Sequence, residues 1–247
     1  MNKKTNKIQI IKARSTQDGA GAQIKRVFPG FDLRHNDPFV LLDEFFVTPE
    51  ASFPEHPHRG FEAITYMLEG GFRHKDNLGN DSVVSAGGAQ RFTAGKVIRH
   101  AELPATKNMN HGLQLWINLP QKLKNIDPNY QKVDASNFPE SDRKGIKIRT
   151  IVGPNSPLKL KTAINFLDIS LENDKEFNYQ IPDGWNGLIY ILENELHYQE
   201  AALTTGHAII LKNGGIFKVK TKAPARFALI IGKPHNQPIR LQGSFVL

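Results

Sequence analysis

The 247-residue chain carries 32 Lys/Arg against 24 Asp/Glu and no cysteine, which excludes disulfides, thiolate metal sites and a cysteine nucleophile. Its 39% hydrophobic and 23% charged content is that of a folded globular protein, long enough for one large core or two small ones. The net charge of +8 is spread along the chain, with 15 basic and 12 acidic residues (+3) in 1–120 and 17 and 12 (+5) in 121–247, so direct nucleic-acid binding is not expected.

The basic start, MNKKTNKIQIIKARS, lacks the apolar core of about 7–15 residues that a signal peptide needs. No apolar stretch approaches the ~18 residues of a membrane span. A cytoplasmic location is expected, or a nuclear one in a eukaryotic source. Short β-branched and aromatic runs then recur at 8–11, 39–42, 63–68, 112–119, 147–152, 165–171, 187–192, 208–211 and 226–231, with Gly, Asn, Asp and Pro between them. Many short strands with such turn signals predict an all-β sandwich or barrel. Residues 118–141 are rich in Pro and Asn, poor in strand pattern, and read as a linker.

The two halves echo each other. ITYMLEGGFRH (64–74) resembles LIYILENELHY (188–198), and HGLQLWINLP (111–120) resembles ARFALIIGKP (225–234). The offsets of the two matches differ by ten residues, as duplicated barrels with unequal loops would show. Two tandem β-barrels are expected, one over 1–130 and one over 131–247.

The chemistry-bearing stretch is FPEHPHRGFEAITYMLEGGFRH (53–74). Residues i and i+2 of a strand share a face, so His56 and His58 project together, and His100 and Glu102 in AGKVIRHAE repeat that spacing. Two such pairs on facing strands converge into three imidazoles and a carboxylate, a donor set suited to a borderline divalent transition metal. On spacing alone Glu62 shares the parity of His56 and His58 and rivals Glu102. His35, His74, His111, His197, His207 and His235 stand alone and carry no such reading.

HPHRGFEAITYMLEG, HKDNLGN, TAGKVIRHAE and GLQLWINLP, preceded by DPFVLLDEF (37–45), together resemble the signature segments of the pirins, in the cupin superfamily. The second half is similar through its strand pattern and the closing IGKPHNQPIRLQGSFVL. The resemblance implies two tandem cupin (jelly-roll-like) barrels and one mononuclear metal, usually iron, in the first. Carried over by position, the ligands fall on His56, His58, His100 and Glu102, which favours Glu102 over Glu62. Arg59 and Glu62 are then expected either to orient the imidazoles or to form ordinary surface salt bridges. The chain reads His-Ala-Glu where pirins more often have His-Ser-Glu. It also stops after GSFVL where longer pirins continue, so the surface such a tail covers is expected to be exposed or covered differently.

Nitrogen-rich donor sets prefer copper by intrinsic affinity. Fe(II) therefore rests on the resemblance, with Zn, Mn, Ni, Co or Cu as alternatives. The implied activity is flavonol cleavage of the quercetin 2,3-dioxygenase type on a small aromatic substrate with dioxygen. The metal would act as a Lewis acid toward the substrate oxygen and Glu102 as general base. The other implied role is a metal-dependent transcriptional co-regulator that binds a protein partner without catalysis. A monomer is expected.

The second barrel should hold no metal. At the offset of 124, His56 and His58 map to Gln180 and Pro182, and aligning Gly88 with Gly206 places Lys218 and Lys220 at His100 and Glu102. Burying unpaired ammonium groups costs too much, so Phe217 and Val219 should face inward and Lys218, Lys220 and Lys222 water.

Overall fold

The structure, a computed structural model, describes residues 9–247. Ile8 of the first apolar run and the basic residues before it lie outside the described residues. Strand is the dominant element, interrupted only by the single-turn 3-10 helices Gln121–Leu123 and Ala135–Asn137 among the described residues. No described helix is long and apolar enough to cross a membrane.

The chain forms two compact units. The first comprises residues 14–138, 157–162 and 235–247; the second comprises the described residues 9–13, 139–156 and 163–234. Each is a seven-stranded antiparallel sheet with a four-stranded antiparallel partner, the jelly-roll-like barrel that the family resemblance implies. In the first unit the large sheet runs Asn129–Val133, Ala89–Thr93, Phe61–Glu69, Asn110–Asn118, Phe39–Val47, Ala22–Phe28, Arg14–Asp18. The small sheet runs Phe53–His58, Ile98–Pro104, Gly71–Asp76, Asp81–Ser85. Asn129–Val133 lies inside the segment read as a linker; its alternation of polar residues hides a strand that hydrogen-bonds to Ala89–Thr93.

The second unit repeats this order, which bears out the internal echo. Its small sheet runs Glu176–Ile181, Gly215–Lys220, Glu195–Tyr198, Ala201–Thr204. The outermost place held by Asn129–Val133 in the first unit is taken here by Gln9–Lys12, which pairs with His207–Leu211. Phe217 and Val219 are buried and Lys218, Lys220 and Lys222 exposed, as the cost of burying ammonium groups requires. Phe177, Phe217, Val219, Tyr198 and Leu203 pack with strand residues such as Ile189, Phe227 and Leu229 into one apolar cluster. The barrel that lacks the histidines has filled their place with hydrocarbon.

The first unit is built differently inside, because pairing register lines up polar side chains. Gln90 lies opposite Thr65, Thr65 opposite Gln114, Gln114 opposite Asp43, and Asp43 opposite Arg26. Directly paired residues point to the same face of a sheet, so these five form a polar row across the large sheet. One step along the strands, Phe92, Ala63, Trp116 and Leu41 form an apolar row on the same face.

Two buried features hold the C-terminal hairpin, Leu241–Gln242 with Phe245–Val246, against the end of the histidine strand. Lys124 Nζ donates to the carbonyls of Gly60 (2.9 Å) and Val246 (3.0 Å) and to Asn118 Oδ1 (2.8 Å), satisfying all three of its hydrogens. Gly60 adopts φ +81°, and a Cβ there would overlap the Val246 carbonyl oxygen. A left-handed alanine costs about 1–2 kcal/mol and the overlap about 1–3 more. Gly60→Ala should therefore destabilise the unit by roughly 2–5 kcal/mol, read as a lowered urea midpoint at unchanged slope. An unchanged midpoint would mean that this contact does not hold the hairpin.

Candidate metal centre

The small sheet brings the histidines together through its register. His56 lies opposite His100, and a shift in pairing after His100 sets Glu102 opposite Phe53. On the other side of the same strand, His100 lies opposite Asp76 and Glu102 opposite His74. The face so formed carries His56, His58, His74, His100 and Glu102, and only His56 among them is more than marginally exposed.

The ring nitrogens of His56, His58 and His100 form one group that could hold an ion, all within 4.8 Å of one another. His56 Nε2 and His58 Nε2 are 2.8 Å apart. The ring of His100 lies 4.6 Å from that of His56 and 4.9 Å from that of His58. Main-chain acceptors fix two tautomers: His56 Nδ1 donates to the Pro54 carbonyl (2.7 Å) and His58 Nδ1 to that of Ser244 (3.1 Å). Both Nε2 lone pairs are thereby turned to the same point. His100 Nε2 is buried there with no hydrogen-bond partner. Burial, and then the neighbouring His56, push the His58 pKa down to about 3, while burial holds His100 well below its ordinary value. His58 and His100 are thereby held neutral, the form that donates to a metal. Three lone pairs aimed at one buried point, one of them an orphan, fit a cation.

Glu102 shares only His100 with that group; it falls in a second one with His74 and His100. Its Oε1 accepts from Thr65 Oγ1 (3.0 Å) and Gln90 Nε2 (2.7 Å), and its Oε2 from Gln114 Nε2 (3.2 Å). The Gln90 amide is oriented by Tyr130, whose hydroxyl donates to Gln90 Oε1 (2.9 Å) and contacts Ser82 Oγ (2.7 Å). Burial raises the Glu102 pKa to about 7, against the three donors. Two acceptances on Oε1 and one on Oε2 leave Oε2 a lone pair to spare. The polar row of the large sheet is thus the cradle of this carboxylate.

Glu62 goes elsewhere. Gly60 interrupts the strand, so the parity of His56 and His58 does not carry on to residue 62. Pairing with Thr93 sets Glu62 on the face opposite Thr65. Its Oε1 accepts from Thr93 Oγ1 (2.8 Å), and its Oε2 from the amides of Lys161 (2.8 Å) and Thr162 (3.3 Å). It ties residues 157–162 to the first barrel. Arg59, expected to orient the imidazoles, donates instead to Asn125 Oδ1 (3.1 Å) at the surface.

A cavity of about 260 Å³ opens on the histidines. His56, His58 and Glu102 line one side, Leu41, Phe45, Phe53 and Trp116 offer apolar walls, and Asp18, Arg26, Asp43 and Gln114 a polar end. Arg26 bridges the two aspartates, with Nε and Nη2 on Asp43 (2.8 and 2.7 Å) and Nη2 on Asp18 (2.9 Å). Burial raises Asp43 to about 6 in spite of that guanidinium.

Comparison with known proteins agrees with this architecture. The pirin family model matches residues 21–117, and that of the pirin C-terminal cupin domain matches residues 166–247. The chain belongs to the pirin family. It is 38% identical to a pirin-like protein of Solanum lycopersicum over 97% of its own length and 86% of the relative's. Against human pirin the identity is 34%, with 95% and 85% covered. Among solved structures, quercetin 2,3-dioxygenase from Acinetobacter baumannii superposes with a TM-score of 0.89 at 27% identity, covering 98% of this chain and 92% of that one. The Escherichia coli pirin YhhW, solved in complex with nickel(II), shares the fold at a TM-score of 0.77 and 20% identity, with 92% and 99% covered. Both units of this pirin are accordingly cupin barrels.

Thr65, Gln90, Gln114, His74 and Asp76 are the residues around the candidate site that sequence reasoning missed. For Thr65 and Gln114 the available signal was a polar residue in the middle of an otherwise apolar strand, as in ITY and LQL.

Proposed function

We propose that the first barrel binds one divalent transition metal through His56, His58, His100 and Glu102. We further propose that it opens a flavonol or similar enol-bearing aromatic, in the manner of a quercetin 2,3-dioxygenase. The observation that carries the metal is the buried, partnerless Nε2 of His100 beside the facing Nε2 atoms of His56 and His58. The likeness to the Acinetobacter enzyme supports the reaction class. Family membership favours Fe(II), whereas the donor atoms alone accept Mn, Co, Ni, Cu or Zn.

A metal held here by His56, His58, His100 and Glu102 would supply Lewis acidity toward a substrate oxygen. The chain does the rest. Phe45, Phe53 and Trp116 flank an aromatic ring and exclude water from it. The one spare lone pair of Glu102, on Oε2, would hold the metal or, once freed from it, accept the proton of the substrate hydroxyl. Gln114, Asp43 and Arg26 meet hydroxyls at the polar end of the cavity. The size of the cavity, below the ~300 Å³ at which small-molecule sites usually begin, favours a second reading, in which the loaded site shapes a surface for a protein partner.

Turnover decides between them. The chain reconstituted anaerobically with Fe(II) should consume quercetin only after air is admitted, and chelation should stop it. Absence of turnover with each of Fe, Mn, Co, Ni and Cu, while histidine-dependent binding persists, would remove the enzymatic reading and leave the second.

A further inference from the structure

We infer that Asp76 and His74 form a relay that sets the tautomer and orientation of His100, an inference resting on the metal reading above for its consequence but not for its geometry. Asp76 Oδ2 lies 3.0 Å from His74 Nε2, and His74 Nδ1 lies 3.3 Å from His100 Nδ1. All three side chains are buried. Proton placement along this chain is fixed from its two ends, the Asp76 carboxylate that accepts and the buried His100 Nε2 that finds no acceptor. A carboxylate only accepts, so His74 Nε2 carries a proton. Neutral His74 then has a bare Nδ1, and the proton between the two Nδ1 atoms belongs to His100. That leaves His100 Nε2 bare, and it is the atom that finds no partner in the protein.

Each member is held from outside the relay. The turn DNLGN wraps the Asp76 carboxylate: Oδ1 accepts from the amides of Leu78 (2.9 Å) and Asn80 (3.0 Å), and Asn80 Nδ2 reaches Oδ2 (2.9 Å). Burial alone would raise the Asp76 pKa, but His74 and Asn80 outweigh it and keep it below its ordinary value. His74 stacks on Tyr130, centroids 4.2 Å apart and planes 15° from parallel. Carboxylates that grip a metal-ligating imidazole from behind commonly raise metal affinity; here a second imidazole extends that grip. His56 and His58 rely on main-chain carbonyls instead, so only His100 is positioned by an ionised side chain. His74, His100 and Glu102 also satisfy the spacing for an ion of their own. In the relay His74 Nδ1 is occupied as an acceptor, which removes that site.

The test begins without metal. Long-range proton–nitrogen NMR on the apo chain should show His100 as the Nδ1–H tautomer and His74 as the Nε2–H tautomer, with the His100 Nδ1–H slow to exchange. His74→Phe keeps the stack on Tyr130 and removes both nitrogens; Asp76→Asn keeps the shape and removes the charge. Each variant should give His100 mixed tautomers and a fast-exchanging proton. Cobalt(II) titration should then show one ion per wild-type chain and an affinity roughly 10–100-fold lower in His74→Phe, with an altered ligand-field spectrum. An Nε2–H tautomer at wild-type His100 overturns the relay, as does unchanged affinity and spectrum in both variants, or two cobalt ions per chain. A wild-type chain with the expected tautomers that takes up no cobalt upholds the geometry and sinks the metal reading.

Discussion

His100→Ala is expected to weaken metal binding on the order of 10²–10³-fold while leaving the barrel folded. Structural zinc sites with four protein donors bind with about 10–16 kcal/mol near neutral pH, or about 2.5–4 kcal/mol per donor if shared evenly. At ~1.4 kcal/mol per tenfold, one donor is worth that much. His100 should sit at the upper end, because its Nε2 is the donor with no other partner and its ring touches both remaining imidazoles. Alanine also leaves a void beside Phe92, whose ring centroid lies 4.7 Å from that of His100. Some loss of apo stability, about 1–3 kcal/mol, should accompany it. His207→Ala, in the second barrel, is the control and should bind as wild type. Isothermal titration with Co(II) or Zn(II), with circular dichroism on each apo variant, reads both quantities. Near-equal affinity in His100→Ala and His207→Ala would place the ion elsewhere.

How far the sequence reached follows from what each signal depends on. The apolar runs at 39–42, 63–68, 165–171 and 226–231 are central strands buried on both faces, so composition alone exposes them. Arg14–Asp18 and Asn129–Val133 are outer strands of the large sheet with mixed polar faces; the first falls outside every predicted run and the second inside the segment read as a linker. His56, His58 and the pair His100 and Glu102 were legible because i and i+2 share a face within one strand. His74 was read as a lone histidine because its partners arrive through pairing: Glu102 is 28 positions away in sequence yet directly opposite in the sheet. The row Gln90, Thr65, Gln114, Asp43, Arg26 is likewise a product of register across five strands. Periodicity within any one of them does not contain it.

The contest between the two glutamates shows the same limit and has a measurable answer. Glu62→Gln and Glu102→Gln remove one negative charge each from a buried site, but different properties should fail. In Glu102→Gln, the amide presents one oxygen and two N–H groups to Thr65, Gln90 and Gln114. At least one donor–donor clash results, and the oxygen with a spare lone pair is a poorer ligand. Metal affinity should fall on the order of 10²-fold by the same share per donor, and flavonol turnover should fall with it. Apo stability should change little, since losing the hydrogen bonds is offset by relief of a costly buried charge. In Glu62→Gln, the amides of Lys161 and Thr162 both point at Oε2 and lose a charged acceptor. Hydrogen bonds to charged groups contribute about 1.5–3 kcal/mol each, so the first unit should lose stability on that order, with metal affinity nearly unchanged. Side-by-side cobalt titration and urea unfolding separate the outcomes. A severe loss of metal in Glu62→Gln with near-normal binding in Glu102→Gln would reverse the assignment, and with it the claim that Gly60 resets which face the strand presents to the histidines.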